Sequence, residues 1–298
     1  MTEVTDHPSP ARDSILDQPH QPPDSDWWYV RAYPGSGALM DAACDVLVPW
    51  LREAAASENA DRWFFLRYID MVGPHLRLRI RCAPDGVDRL HSRMPELWLA
   101  LDKIPPDARG EPLIANGLFG DASGAVRVAP GLYAPEMHKY GGPAGVEAAE
   151  RLFTASARWY ADNLPHRSPR RFRRAALATT LMRELVTTAL PPEDWKEFWL
   201  RHRRQWGWQL VMSQGKAAVP DLVSETVTGV REVVADVDVA AVRTHVASVV
   251  ATFEEVTRSN SGVDRLDLLL NYLHMDINRW GFVPAEEALL GMVTTSMR

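Results

Sequence analysis

The period of the apolar positions changes partway along the chain. Between Trp27 and Cys82, three short stretches are aromatic-rich or alternate with polar residues: Trp27 to Tyr33, Trp63 to Ile69 and His75 to Cys82. Each predicts a β-strand. Asp70-Met71-Val72-Gly73-Pro74, between the last two, predicts an antiparallel hairpin with a five-residue loop. Helical spacing appears over 38–56, through Leu39, Ala43, Val46, Leu47, Trp50 and Leu51, and again over 86–101. Residues 102–132 are rich in Pro, Gly and Asp and predict loops with short strands near Leu113-Ile114 and Val126 to Val128. From Pro143 onward the spacing is helical, over 143–162, 169–190, 193–212, 240–258, 264–280 and 284–296. Strands cluster early and helices late. The expected fold class is therefore α+β: a mostly antiparallel sheet built from the early strands and packed with a helical C-terminal half.

Residues 1–25 place five prolines among Asp, Ser, Gln and His and read as a disordered tail; residues 26–298 read as a single domain. A chain of 298 residues buries enough surface to need no covalent staples. Its net charge of −6 argues against a general nucleic-acid binder. Cys44 and Cys82 have no metal-ligand spacing and are expected as buried thiols in a reducing cytoplasm, with no metal site. There is no apolar run of membrane-spanning length, and the start of the chain lacks the apolar core of a signal peptide. No dinucleotide-binding, phosphate-loop or zinc-protease motif is present.

Three constellations carry candidate chemistry. On the strand His75 to Arg81, alternation puts Leu76, Leu78 and Ile80 on one face and His75, Arg77, Arg79 and Arg81 on the other. Such a row repels itself and needs acids, solvent or an anionic ligand; arginine's planar fork suits a carboxylate. Second, Asp267, Asn271, His274 and Asn278 form one polar strip on a helix whose apolar side holds Leu269, Leu270, Leu273, Ile277 and Trp280. A histidine between two amides is either a proton-transfer group or one satisfied within the core. Third, Glu136-Met137-His138-Lys139-Tyr140-Gly141-Gly142 is a loop entering a helix, with Lys139 and His138 as possible anion contacts. Separately, His166, Arg167, Arg170, Arg171, Arg173 and Arg174 crowd the start of a helix, where cations oppose the helix dipole; they read as a solvated charge run, with an acidic peptide or partner as the alternative.

In this order, Trp28-Tyr29, Trp63 to Tyr68, His75 to Arg79, Glu136 to Gly142 with Glu150, and His274-Met275-Asp276-Ile277-Asn278-Arg279 resemble the C-terminal domain of lantibiotic dehydratases, also found free-standing as the thiopeptide-type bacteriocin biosynthesis protein. The resemblance spans about residues 26–296. It implies a glutamate-elimination lyase. A separate enzyme esterifies Ser or Thr of a precursor peptide with glutamate from glutamyl-tRNA, and the elimination domain removes glutamate to leave dehydroalanine or dehydrobutyrine. It assigns elimination roles to Arg77, Arg79 and His274, and makes Lys139, His75, Arg81, Tyr140 and Asn278 candidates for substrate contact. Lys139 stands at or next to a family arginine, keeping the charge but losing the fork.

Elimination needs a base for the Cα proton, donors for developing negative charge and help for a carboxylate leaving group. Neutral His274 serves the first role, and Arg77 and Arg79 the others. No metal, nucleotide or redox cofactor is implied, and no direct contact with nucleic acid. The helix of His274 is expected to pack across the basic face of the early sheet. Two other functions fit the same resemblance: a pyridine synthase closing a thiopeptide macrocycle by formal aza-[4+2] cycloaddition, and a non-catalytic peptide-binding subunit of the biosynthetic complex.

Overall fold

The computed structural model describes residues 26–114, 124–163, 171–260 and 262–297. The tail 1–25, and His166, Arg167 and Arg170 of the basic run, lie outside the described residues. Strands β1 (Asp26–Tyr33), β2 (Arg62–Asp70), β3 (Gly73–Cys82) and β4 (Arg127–Pro130) form one antiparallel sheet in the order β2-β3-β1-β4. The arginine strand is therefore flanked on both sides. Its apolar face is core: Leu76, Leu78 and Ile80 are fully buried, with Val30 and Phe65 in register beside Leu78. Helix α1 (Met40–Ser57) packs against β3, and its Leu47 and Leu51 are fully buried. Burying each such side chain contributes about 1.5–3 kcal/mol.

The hairpin is tighter than its sequence predicts. Only Met71 and Val72 separate β2 from β3, because the Asp70 carboxylate accepts hydrogen bonds from the N–H groups of Val72 (2.9 Å) and Gly73 (3.2 Å), and Gly73 takes φ +140°. The helix predicted over 86–101 is two, α2 (Pro84–Ser92) and α3 (Met94–Asp102). Pro95 offers no N–H and its ring crowds a preceding carbonyl, which favours a break before it and suits the first turn of α3, although α1 does run through Pro49. Leu113-Ile114 forms no strand; the N–H groups of both residues bond instead to Glu286 Oε1, at 2.6 and 3.2 Å.

After the short α4 (Met137–Tyr140) the chain is helical: α5 (Pro143–Asn163), α6 (Arg171–Ala189), α7 (Trp195–Gln214), α8 (Val219–Val233), α9 (Val239–Ser259), α10 (Arg265–Arg279) and α11 (Pro284–Ser296). Helix α8 was not expected. Its Val- and Thr-rich composition favours strands locally, but packing against α6 and α11 imposes a helix that buries Thr226, Gly229 and Val230. No helix of the described residues is long and apolar enough to cross a membrane. Cys44 and Cys82 are free and buried, and burial pushes both thiols up to about 11.

The described part of the basic run is internally neutralised. Arg171 pairs with Glu225 (2.5 Å), Arg173 with Asp236 (3.4 Å) and Arg174 with Asp41 (2.9 Å). Asp41, in the first turn of α1, also binds Arg67 of β2 at 2.6 Å, so one carboxylate ties α1, the sheet and α6 together. Burial alone would raise its pKa, but the two guanidinium groups outweigh it and hold the carboxyl at about 2. A depressed carboxyl stabilises the fold above its unfolded pKa and loses that contribution as pH falls towards the folded value. Asp41→Asn is expected to cost on the order of 2 kcal/mol at neutral pH, discounted from a fully buried pair because the carboxylate is partly exposed. Urea denaturation at pH 7 and between pH 4 and 2 checks this: the variant should be less stable at pH 7 and should show a flatter acid dependence.

Candidate functional site

The four side chains on the polar face of β3 meet different surroundings. Arg81 sits between Trp27 and Arg62 in register and is saturated with acids: it binds Asp61, Glu147 at 2.8 Å, and lies 3.7 Å from Glu150 Oε2. His75, fully buried, lies 3.1 Å from the Gly73 carbonyl through Nδ1 and packs against the rings of Tyr33 (4.6 Å) and Tyr68 (5.7 Å); burial lowers its pKa. The middle pair differs. Among the described residues, neither Arg77 nor Arg79 has a carboxylate within ion-pair distance.

Register explains what Arg79 has instead. Tyr29 of β1 and Phe64 of β2 stand directly on either side of it, and Tyr133 completes the cage; its guanidinium lies 4.9, 5.2 and 4.6 Å from the three ring centroids. The tyrosine is itself held, because its hydroxyl donates to Glu150 at 2.8 Å. Arg79 is only 7% exposed, and burial lowers its pKa. Ring faces supply part of the missing counter-charge. The buried Nε has no protein partner. Arg77 is half-buried and lies 3.3 Å over the Tyr68 ring, and its Nε is likewise buried without a partner. Other arginines of β1 and β2 have acids: Arg31 has Asp70, Arg62 has Glu147 and Arg67 has Asp41. Two guanidinium groups are thus left without a carboxylate amid this neutralisation, an arrangement chemically able to take an anion, and planar forks suit a carboxylate.

Helix α10 approaches the sheet at β2, the edge strand. Asn278 accepts from the Arg67 N–H (2.9 Å) and donates to the Arg67 carbonyl (2.8 Å), taking the place of a missing strand. Its carboxamide is occupied by the backbone at both ends. Neighbouring Leu66 is the register partner of Arg77, but this joint seats α10 along the β2 edge rather than across the basic face of β3 as expected, because the unpaired backbone groups of the edge strand take the Asn278 amide. At the other end of the strip Asn271 donates to the Lys139 carbonyl at 3.4 Å. Asp267 pairs with Arg201 (3.0 Å). The His274 ring turns toward α7 and α11. It stacks on Trp206 at 4.3 Å, and Nδ1 lies 2.6 Å from Glu287 Oε2. Among the described contacts, none joins His274 directly to Arg77 or Arg79. A cavity of about 710 Å³ opens elsewhere, between Asp41, Trp159, Arg173 and Asp238, and none of the predicted site residues lines it.

The Lys139 ammonium is paired with Glu136 at 2.7 Å on its own short helix. Tyr140 is buried, stacked on Tyr272 (5.9 Å) and set edge-on to Phe153 (5.5 Å). Burial raises the pKa of its phenol, while the positive charges of Arg279 and Arg79 pull it back. Gly141 closes α4 at φ +84°, and a Cβ there would come 2.5 Å from Val263, so the turn has no room for a side chain.

Two features escaped the sequence. Asp276 and Arg279, inside the helix motif that contains His274, face the core: Asp276 contacts His245 at 2.8 Å and Ser156, and lies 3.3 Å from the fully buried Arg279. Glu287, in the first turn of α11, reads in sequence as an ordinary acid at a helix start. It is 1% exposed and contacts His274.

The family profile described as "Lantibiotic biosynthesis dehydratase C-term" matches residues 27–296. Among solved structures, TsrL aligns with a TM-score of 0.53 at 17% identity, covering 92% of this chain and 94% of that one, which shows a shared fold. The tRNA-dependent lantibiotic dehydratase MibB from Microbispora sp. 107891 aligns with a TM-score of 0.47 at 20% identity, over 90% of this chain. The chain spans only 27% of the length of MibB. The pyridine synthase TbtD, from thiomuracin biosynthesis, aligns with a TM-score of 0.40 at 15% identity, covering 91% of this chain and 97% of that one. No curated protein sequence matches.

Because Asn278 completes the edge of β2, Asn278→Ala leaves one N–H and one carbonyl of Arg67 unpartnered. The expected loss of stability is about 2–4 kcal/mol, the sum of two orphaned groups. Urea unfolding of the variant should show a lower midpoint with an unchanged denaturant slope; an unchanged midpoint would free Asn278 for another role.

Proposed function

We propose, because the chain belongs to the lantibiotic biosynthesis dehydratase C-terminal family, that it is a carbon–oxygen lyase removing glutamate from glutamylated Ser or Thr of a ribosomally made precursor peptide. The observation that carries this reading is the pair Arg77 and Arg79. Keeping a guanidinium buried without a carboxylate costs several kcal/mol, and the Arg79 cage bears that cost in the free protein. A glutamyl carboxylate supplies the missing partner. The reaction needs no oxidant. His274 takes the Cα proton at Nε2; the electron pair forms the Cα=Cβ bond; the Cβ–O bond breaks; and glutamate leaves as a carboxylate held by the arginines. The imidazole suits this role because Nε2 carries no hydrogen bond among the described residues, while Nδ1 is engaged. A separate enzyme charges the peptide from glutamyl-tRNA beforehand.

The test is mass spectrometry of a precursor peptide incubated with a glutamylating partner, glutamyl-tRNA and this protein. Loss of glutamate with formation of dehydroalanine or dehydrobutyrine supports the reading. Arg79→Ala is expected to accumulate the glutamylated peptide, with a rate lower by on the order of 10²–10³, the scale for removing a positioned donor. Arg79→Lys should recover little, because the charge returns without the fork. Parent-rate dehydration by Arg79→Ala would remove the carboxylate site. Closure of an already dehydrated linear peptide to a macrocycle, without glutamate removal, would replace elimination with cycloaddition.

A further inference from the structure

The surroundings of His274 are unusual for a helix surface. Glu287 Oε2 sits 2.6 Å from Nδ1, and the Trp206 ring lies against the imidazole at 4.3 Å with 22° between planes. The carboxylate is 1% exposed. Behind it, His202 of α7 places Nε2 3.6 Å from Glu287 Oε1 and is itself 2% exposed. Gly291 makes room for this second ring: a Cβ there would fall 2.5 Å from His202 Cε1. Two histidines, one from α10 and one from α7, therefore converge on one buried carboxylate of α11.

Other charges near this junction are spoken for. On α7, Arg201 turns to Asp264 and Asp267 at the start of α10. On α11, Glu286 accepts the N–H groups of Leu113 and Ile114. On α10, Asp276 points to His245 and Ser156. From the packed charged and titratable groups, His274 faces Glu287, with His202 beyond it.

We propose that Glu287 is a positioning residue for His274: it holds the imidazole with its proton on Nδ1 and its lone pair on Nε2, and balances the positive charge that forms when Nε2 takes up a proton. This rests on the reading of His274 as the base of glutamate elimination. The chemistry is that of a carboxylate behind an imidazole, which sets tautomer and orientation without itself becoming protonated. Burial alone would raise the Glu287 pKa, but the His274 and His202 interactions outweigh it and hold the carboxyl at about 2, so it stays ionised through the working range. Trp206 limits rotation of the ring about the same hydrogen bond. A carboxylate serving only to fill the core would leave the tautomer of His274 to solvent.

The experiment uses the full chain labelled with ¹⁵N-histidine. Its nine histidines are separated by assigning His274 through the resonances lost in His274→Gln. At a pH where the imidazole is neutral, Nδ1 of His274 should carry the proton and Nε2 should be pyridine-like. Glu287→Met should move the proton toward Nε2, and Glu287→Gln, which keeps the shape and can still accept a hydrogen bond, should give an intermediate mixture. In the coupled dehydration assay Glu287→Met should lower kcat by about 10²-fold, the lower end of a general base's contribution. KM should stay within about threefold, because ground-state binding is untouched. Should Glu287→Met fail to fold, Glu287→Gln carries both readouts. An Nε2–H tautomer in the parent protein, or a tautomer and kcat unmoved in the folded variants, overturns the role of Glu287. A parent protein that leaves glutamylated peptide unchanged overturns the elimination reading, while the tautomer measurement still decides whether Glu287 sets the ring.

Discussion

Two hydrogen bonds between one carboxamide and the backbone N–H and C=O of one residue hold the halves of this molecule in register. Strand β2 ends the sheet, and its outward N–H and C=O groups need partners once helices cover them. Thr154 of α5 accepts the N–H of Trp63 (3.2 Å), and Asn278 of α10 engages both groups of Arg67. The second contact sets where α10 lies along the strand. With α10 fixed, Asn271 reaches the α4 loop, His274 meets α7 and α11, and the buried cluster of Asp276 and Arg279 falls against α5. A shift of one residue along β2 would exchange inward- and outward-facing peptide groups and undo all of these contacts.

Against that frame the sheet surface is electrostatically uneven by construction. Acids from the hairpin turn, α1 and α5 neutralise Arg31, Arg67, Arg62 and Arg81. The same elements send none to the centre of β3. Aromatic faces stand there instead, a weaker and non-directional substitute for a carboxylate. Because they donate and accept no in-plane hydrogen bonds with the guanidinium, they leave its fork open. Ring faces leave a guanidinium's donors open, whereas carboxylates saturate them, and within a single strand Arg79 and Arg81 illustrate the two conditions.

Much of this was legible from residue order, and the limits have physical causes. Alternation along His75 to Cys82 separates core from polar face without further information, because the strand period is fixed by backbone geometry. The α+β arrangement follows from where the period changes. Which arginine is free was not legible, since Arg81 is neutralised by Asp61 and Glu147, 20 and 66 residues away in sequence. Asn278 looked like a substrate contact because an amide on a polar strip carries the same signal whether it faces a ligand or a strand edge. Helix α8 was missed because β-branched residues take their conformation from packing, and Glu287 because a helix start is where acids are ordinary.

The Asn278 joint also bears on how the chain acquires its structure during synthesis. Its two partners are 211 residues apart. At ribosomal speeds of roughly 5–20 residues per second, β2 is made about 10–40 seconds before the residue that covers its edge. For that interval the early sheet presents an open strand carrying Trp63, Phe64 and Phe65, a sequence with the aromatic, uncharged character that invites pairing with another chain. The flanking Arg62 and Arg67 place charge at both ends of this run, where it opposes self-association before the late helices arrive.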